Sequence, residues 1–475
     1  MELDPVILSR IQFAFVVSFH IIFPAFTIGL AAWLATIDGM HLLTRDPLYR
    51  RVFDFWLKVF AVSFGMGVVS GIVMAFQFGT NWSVLSAWTG AIQGPLLGYE
   101  AFTAFLLEAS FFGVMLLGRD RVSPRLYFFS CCMVSLGTML SSFWILANNS
   151  WMQVPVGHSI ENGKIVPGDW RQIIFGDVML IRWIHMLLAA FLTTGMCIIA
   201  TGSWHLLRRV HPAEARVMLH WGLAFVAVVV PVQIAFGHLA GDYVHKHQPA
   251  KFAAIEARWQ SEQPASETLI GLPDPDQERN LYAIVIPRLG SFIASGTWDS
   301  KEVGLKDFAP DDRPPVLIPF FAFRIMVGMA LIMLAVSWTG NFLRWGGRLE
   351  TSRWFHWAAF LSFPTGFIGV LTGWFTAEVG RQPWIVYGLL RTRDAVTPTI
   401  THVDVLITLT AYVFVYAIIF VYGMRYIYRL LKIGPGEDAP HPPSATSKRP
   451  MAFAGRDGTA TGEQSPAGAG SQRHG

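Results

Sequence analysis

Charge is scarce in this sequence. Acidic and basic residues make up 14% of its 475 positions, against about 25% in ordinary soluble domains, and so low a share excludes a mostly solvated surface. The formal charge of +4 is small and spread along the chain, which argues against a nucleic-acid partner, since that needs a concentrated basic face. Cysteine is nearly missing too. Cys131, Cys132 and Cys197 all fall inside apolar runs, and none stands in a CxxC or CxxCH spacing. That pattern argues against disulfides, covalent c-type haem and a structural zinc site.

What fills the sequence instead is apolar, at 53% of positions. Runs of about 20 residues, the length that crosses a ~30 Å hydrocarbon core, lie at 11–36, 54–78, 95–117, 127–147, 179–206, 217–239, 317–343, 355–378 and 404–430. The expected fold is therefore an all-α integral membrane protein with nine transmembrane helices. The first run follows "MELDPVILSR" without a basic stretch and a small-residue cleavage site, so it reads as a retained helix.

Four short connections carry three arginines each: Arg45, Arg50 and Arg51; Arg119, Arg121 and Arg125; Arg208, Arg209 and Arg216; Arg344, Arg348 and Arg353. The alternate connection "FGTNWSVLSAWTGAIQG" carries none. By the positive-inside rule the N-terminus is outside and the C-terminus inside. The chain then divides into helices one to six (1–239), an outer segment rich in proline (240–316), helices seven to nine (317–434) and a Gly/Pro/Ala/Ser tail (435–475) expected to be disordered.

Ionisable groups inside such runs are costly, and each is by default a functional-site hypothesis. His20 lies nine residues into the first run, ~14 Å at 1.5 Å per residue. Glu100 enters the third run from outside, and Glu108 follows ~12 Å deeper and about 80° around the helix. His185, Arg324, Met326 and Glu378 occupy the outer parts of the fifth, seventh and eighth runs. Taken singly, each reads as readily as a hydrogen-bonded core histidine, a packing methionine or a carboxylate reaching the headgroups. Their convergence on one depth band favours a haem site, because histidine and methionine are axial ligands that facing helices supply. Arg10, Arg324 and Arg381 flank the band, where haem propionates would need charged partners; for Arg10, snorkelling to the headgroups is a strong rival reading. Arg324 and Met326 stand ~200° apart around their helix and face different ways. In the outer segment, Lys251 and Glu256 sit on a short helical patch that is either a proton-accepting quinol site or simply an exposed charged helix.

With these residues collected, the sequence resembles subunit I of the cytochrome bd quinol oxidases up to about residue 434. "LSRIQFAFVVSFHIIFPAFTIGL", "FQFGTNWS", "EAFTAFLLEASFFG", "WILANNSWMQ", "KFAAIEARW", "FAFRIMV" and "GWFTAEVGRQPW" stand in the family's order and spacing. The resemblance implies two haems b and one haem d near the outer face of the helix bundle. His185 and Met326 would ligate the low-spin haem b, with Arg324 beside it. His20 and Glu378 would ligate the high-spin pair, His20 holding haem d and Glu378 the second haem b. Glu100 and Glu108 would serve haem d and its proton route, with Ser141 and Lys58 further along polar paths, and Trp374 would stand between the high-spin haems. Lys251 and Glu256 resemble the quinol-binding residues of the outer Q-loop, and Arg381 would neutralise propionates while Trp384 anchors the turn.

The outer segment lacks the long insertion of some members, which resembles the short-loop branch that includes cyanide-insensitive oxidases. Ala75 stands where some relatives carry a glutamate. The implied activity is electrogenic, non-pumping oxidation of ubiquinol or menaquinol by O2 in the bacterial cytoplasmic membrane, together with a subunit II and a small single-helix subunit. The alternatives are a dihaem b-type quinol dehydrogenase and, from another class, a secondary transporter, which the missing internal repeat disfavours.

Overall fold

A computed structural model describes residues 4–436. The tail expected at 435–475 therefore lies outside the described residues except for its first two positions. Among the described residues nine helical spans are long and apolar enough to cross a membrane, and each overlaps one of the nine apolar runs. In chain order the helices are α1 (Pro5–Thr44), α2 (Pro47–Ala75), α3 (Gln77–Thr80), α4 (Ser83–Tyr99), a π-helical turn (Glu100–Phe105), α5 (Leu106–Leu117), α6 (Pro124–Gln153) and α7 (Trp170–Phe175). They continue with α8 (Met179–Arg208), α9 (Pro212–His247), α10 (Pro249–Ile255), α11 (Leu289–Ser295), α12 (Leu317–Trp345), α13 (Arg353–Leu361), α14 (Thr365–Val379) and α15 (His402–Ile433). Three two-stranded antiparallel hairpins accompany them: β1 (His158–Glu161) with β2 (Lys164–Pro167), β3 (Glu267–Asp274) with β4 (Arg279–Ile286), and β5 (Trp384–Val386) with β6 (Leu390–Arg391).

Several helix ends differ from the apolar runs, each for a local reason. α1 begins at Pro5 rather than near residue 11, because Asp4 accepts the Val6 N–H at 2.9 Å and Pro5 occupies the first helical position. His20 is then fifteen residues into its helix, ~22 Å from the start instead of ~14 Å. α2 starts the same way behind Asp46, which accepts from Leu48 N at 2.8 Å. The arginine-free connection at 78–94 is largely helical, since α4 covers Ser83–Tyr99. α6 continues past 147 to Gln153, and its added residues Asn148, Asn149, Ser150 and Gln153 are polar and buried. The eighth span is broken at 362–364, where Pro364 interrupts the backbone ladder between α13 and α14.

α1 is the central post, packing against α2, α6, α8, α14 and α15. Its crossing with α8 is close because Gly29 has no side chain: an added Cβ would lie 2.8 Å from the Ala190 carbonyl oxygen. Beside it the Thr194 hydroxyl donates to Phe26 O at 2.7 Å, the small-residue and hydroxyl pairing by which membrane helices associate. α12 lies on α9 and α14, and α8 lies on the same two helices.

The outer segment is built more firmly than a loop. α9 carries on through residue 247, and α10, the β3–β4 hairpin and α11 follow it. Ala253, Ala254, Ala257, Trp259, Leu305, Val316 and Phe320 form its own buried core against the start of α12.

Candidate haem and quinol site

His20 faces α2. Its Nδ1 lies 3.0 Å from Ser70 Oγ, and that hydroxyl is also placed to donate to the Met66 and Gly67 carbonyls at 2.9 and 3.0 Å. When the hydroxyl hydrogen goes to either carbonyl, Nδ1 must be the donor to Ser70, and Nε2 keeps a free lone pair, as a metal-binding imidazole requires. Gly71 lies against the ring, where a Cβ would come within 2.9 Å of Cε1.

His185 on α8 has a like glycine recess against α9, but its ring nitrogens are placed the other way round. Gly237 gives its ring room, with an added Cβ at 3.2 Å from Cε1; Gln233 Nε2 stands 3.4 Å from Nε2, and Nδ1 is buried without a partner. Met326 on α12 meets α14 in the same manner, with Gly373 leaving space 2.9 Å from Sδ. The next residue, Trp374, packs against the cluster of Ile21, Ala25 and Val370, on which Met186, next to His185, also packs.

Glu378 ends α14 inside a cationic nest. Its Oε1 accepts from Asn149 Nδ2 and Gln153 Nε2, each at 3.1 Å, and its Oε2 accepts from Arg381 Nη2. Arg182, one turn before His185, donates to Asn149 Oδ1 at 2.6 Å and Ser150 Oγ at 2.8 Å. Arg381 is only 5% exposed, yet its Nε and Nη1 have no acceptor. Buried guanidinium N–H groups left unpaired are costly and ask for an anion. Arg10, in contrast, is exposed and lines a cavity with Asp311, Arg313, Gln382, Arg391 and Arg393. Trp384 opens β5 and is stacked by Arg391 at 4.6 Å.

The outer segment reaches this nest through Lys251. At 4% exposure it is no surface residue: Nζ donates to Ala377 O at 2.8 Å and Gln153 Oε1 at 3.2 Å, beside Glu378. Burial, then the Arg182 charge, pushes its ammonium down to about 7, with Arg381 adding to the shift and Glu378 opposing it. A lysine depressed in the folded state favours folding when neutral. Its stabilising effect is complete above the unfolded value near 10.4 and fades as pH falls toward 7. The melting temperature of the purified protein is therefore expected to rise between pH 7 and 9 relative to a Lys251→Met variant. Parallel melting curves would contradict this placement.

Glu256 turns elsewhere. It is also buried, at 5% exposure, and pairs with Arg324 Nη2 at 3.2 Å. The reading of 251–256 as an exposed charged helix is thus corrected: both charges are enclosed, and α10 sends them to different neighbours. Arg324 lies over Phe320 at 3.6 Å and directs its N–H groups at Glu256, Glu267 and backbone carbonyls of the outer segment. It clamps that segment to α12, whereas Arg381 has N–H groups to spare.

In the third span Glu100 opens the π turn and accepts from Ser141 Oγ at 2.7 Å. Because a π turn holds more residues than an α turn, the 80° offset expected for Glu108 on an unbroken α-helix does not apply; such bulges recur at functional sites. Glu108 is 6% exposed, packed on Gly137 of α6, and its Oε1 has no hydrogen-bond partner. Lys58 has no hydrogen bond or ion pair to Glu100, Glu108 or Ser141 among the described residues.

The fit to haem rests on the donor types, the three glycine recesses and the unpaired Arg381 N–H groups. Sequence reasoning missed Arg182, Asn149, Gln153 and Ser70. Arg182 is an ionisable residue inside an apolar run, the very signal that singled out His185 three positions later. Asn149 and Gln153 lie within "WILANNSWMQ" and its helix end, but buried amides carry no such signature.

Comparison with known proteins agrees along the whole described region. The family of cytochrome bd terminal oxidase subunit I matches residues 8–435. A cytochrome bd ubiquinol oxidase subunit 1 from Bacillus subtilis (strain 168) is 32% identical over 92% of this chain and 96% of its own. A cytochrome bd-II ubiquinol oxidase subunit 1 from Escherichia coli (strain K12) is 30% identical over 82% of this chain and 90% of its own. The solved bd oxidase from Geobacillus thermodenitrificans superposes with a TM-score of 0.84 at 27% identity, covering 90% of this chain and 99% of that one.

Proposed function

From the premise that this chain belongs to the cytochrome bd terminal oxidase subunit I family, we propose that it oxidises quinol at the outer face of the membrane and reduces O2 to water. It is a multi-pass protein of the bacterial cytoplasmic membrane. In our reading His185 and Met326 hold a low-spin haem b, His20 holds haem d, and Glu378 holds the second haem b. Bound haem supplies the one-electron chemistry and the oxygen-binding iron. The observation that carries the assignment is the nest around Glu378, in which a carboxylate and the unpaired N–H groups of Arg381 lie together out of water.

The chain's own residues do the rest. Lys251 and Glu256 bind and deprotonate quinol, Arg324 holds the segment that carries Glu256, and Trp374 fills the space between the ligand helices. Ser141 orients Glu100, and Glu108 delivers protons from the cytoplasmic side, with Lys58 toward the entry. The N-terminus is outside and the C-terminus inside. Protons taken up inside and released outside move charge across the membrane without a pump, worth ~2.3 kcal/mol per charge per 100 mV. A subunit II, and a small single-helix subunit, complete the complex.

Quinol-dependent oxygen uptake by the purified complex tests this reading. The expected result is uptake with either ubiquinol or menaquinol analogues and acidification outside sealed vesicles. Haem reduction by quinol with no oxygen uptake would instead identify a quinol dehydrogenase.

A further inference from the structure

Two carboxyl groups of the outer segment converge on a single guanidinium nitrogen. Arg324 Nη2 lies 3.2 Å from Glu256 Oε2 and 3.3 Å from Glu267 Oε1, and it also donates to Thr268 O in a short contact. That nitrogen carries two hydrogens and faces three acceptors. The other N–H groups of Arg324 are committed, Nε to the Thr268 and Leu269 carbonyls and Nη1 to those of Ile255 and Phe320. With one Nη2 hydrogen in the short contact to the Thr268 carbonyl, which Nε also reaches, one hydrogen remains for two carboxyl groups. Both lie largely out of water, at 5% and 7% exposure. An ionised carboxylate brings acceptors only, and two of them side by side out of water disfavour double ionisation.

The other charged groups do not remove the conflict. Arg258, also buried, is the remaining cation near Glu267, but it gives neither carboxylate a hydrogen bond. Lys251, on the same helix as Ile255, points away to Ala377 O and Gln153. A proton shared between the two carboxyl groups relieves that conflict.

We infer that Glu256 and Glu267 form an acid–carboxylate pair sharing one proton on Arg324, with Glu267 the positioning partner through which Glu256 relays quinol protons to the outer face. The relay rests on the quinol-oxidase reading; the shared proton does not. Burial and the adjacent Glu256 charge both push the Glu267 carboxyl upward, against the pull of Arg324, so it is the member that keeps the proton. In each step a quinol O–H bond breaks, its proton passes to Glu256, and Glu267 releases its own proton to outer water. The proton on Glu256 then moves to Glu267, which leaves Glu256 free for the next. One electron leaves with each proton for the haem centres of the family reading, and two such steps turn quinol into quinone.

Infrared difference spectra of the purified complex at neutral pH test the pair. The carbonyl stretch of a protonated carboxylic acid, marked by its shift in heavy water, is expected to disappear in Glu267→Gln. It is expected to disappear in Glu256→Gln as well, because Glu267 alone against Arg324 ionises. Glu267→Asp, which keeps the acid, is the folding control and retains the band. In turnover, Glu267→Gln is expected to lower kcat on the order of tenfold with haem bands and quinol KM kept, to lose the alkaline limb of the pH profile, and to be partly rescued by Glu267→Asp. A band unchanged in both glutamine variants overturns the shared proton. An unmoved pH profile and kcat in Glu267→Gln overturn the relay. Absence of quinol-dependent oxygen uptake in the wild type would sink the oxidase reading and the relay with it, while the infrared band still decides the shared proton.

Discussion

Glu378→Gln is expected to cost roughly 100-fold or more in oxygen-reducing turnover and about 3 kcal/mol of stability. Glutamine keeps the shape and can still meet Asn149 and Gln153, so packing is not what fails. What goes is the one negative charge that Arg381 touches and whose field reaches Arg182 and Lys251. Arg381 and Arg182 then stand together without it, and removing one partner from an enclosed ion pair leaves the others uncompensated. The assignment of Glu378 as an iron ligand adds a second loss, since an amide is a poor replacement for a carboxylate on iron. Thermal melting and haem content of the purified variant check both effects. Full haem occupancy with lowered melting would show that the nest is a structural ion pair with no ligand role, and full occupancy with unchanged melting would contradict both roles.

Glu108→Gln separates proton delivery from haem holding. Glu108 lies on the helix that follows the π turn, away from the Glu378 nest, and touches Gly137 of α6 with an unpaired Oε1. Glutamine fits the same volume and cannot carry a proton. Turnover is expected to fall on the order of 100-fold, the scale of lost acid–base catalysis, while the haem bands keep their positions and quinol still reduces the enzyme. Oxygen uptake with parallel optical spectra makes the distinction. Full turnover with normal proton uptake would remove Glu108 from the route.

How much of this was legible before the structure depends on the residue. Hydropathy located all nine spans, because a bilayer demands long apolar runs, but it placed their ends poorly wherever other physics sets a terminus. Asp4 and Pro5 start α1 by capping, which no hydrophobicity count registers. Asn149 and Gln153 continue α6 as buried amides and look like the beginning of a loop. Residues 83–94, the first part of α4, read as a connection because polar and small residues interrupt their apolar pattern. In the site, His20, His185, Met326 and Glu378 stood out because ionisable or ligating groups are rare in such runs. Their partners depend on contacts between helices far apart in sequence. Lys251 and Glu256 were legible as a pair, yet nothing in a five-residue spacing says that one turns to Ala377 and the other to Arg324. Glu267, in a hairpin of ordinary composition, became interesting only once Arg324 was seen between it and Glu256.

A dithionite-reduced minus air-oxidised visible spectrum of the purified protein, beside that of a His20→Ala variant, tests the central claim most directly. The account predicts b-type bands together with a chlorin band in the red, the latter lost or weakened in the variant while the b-type bands remain. A wild-type spectrum without haem bands would contradict it.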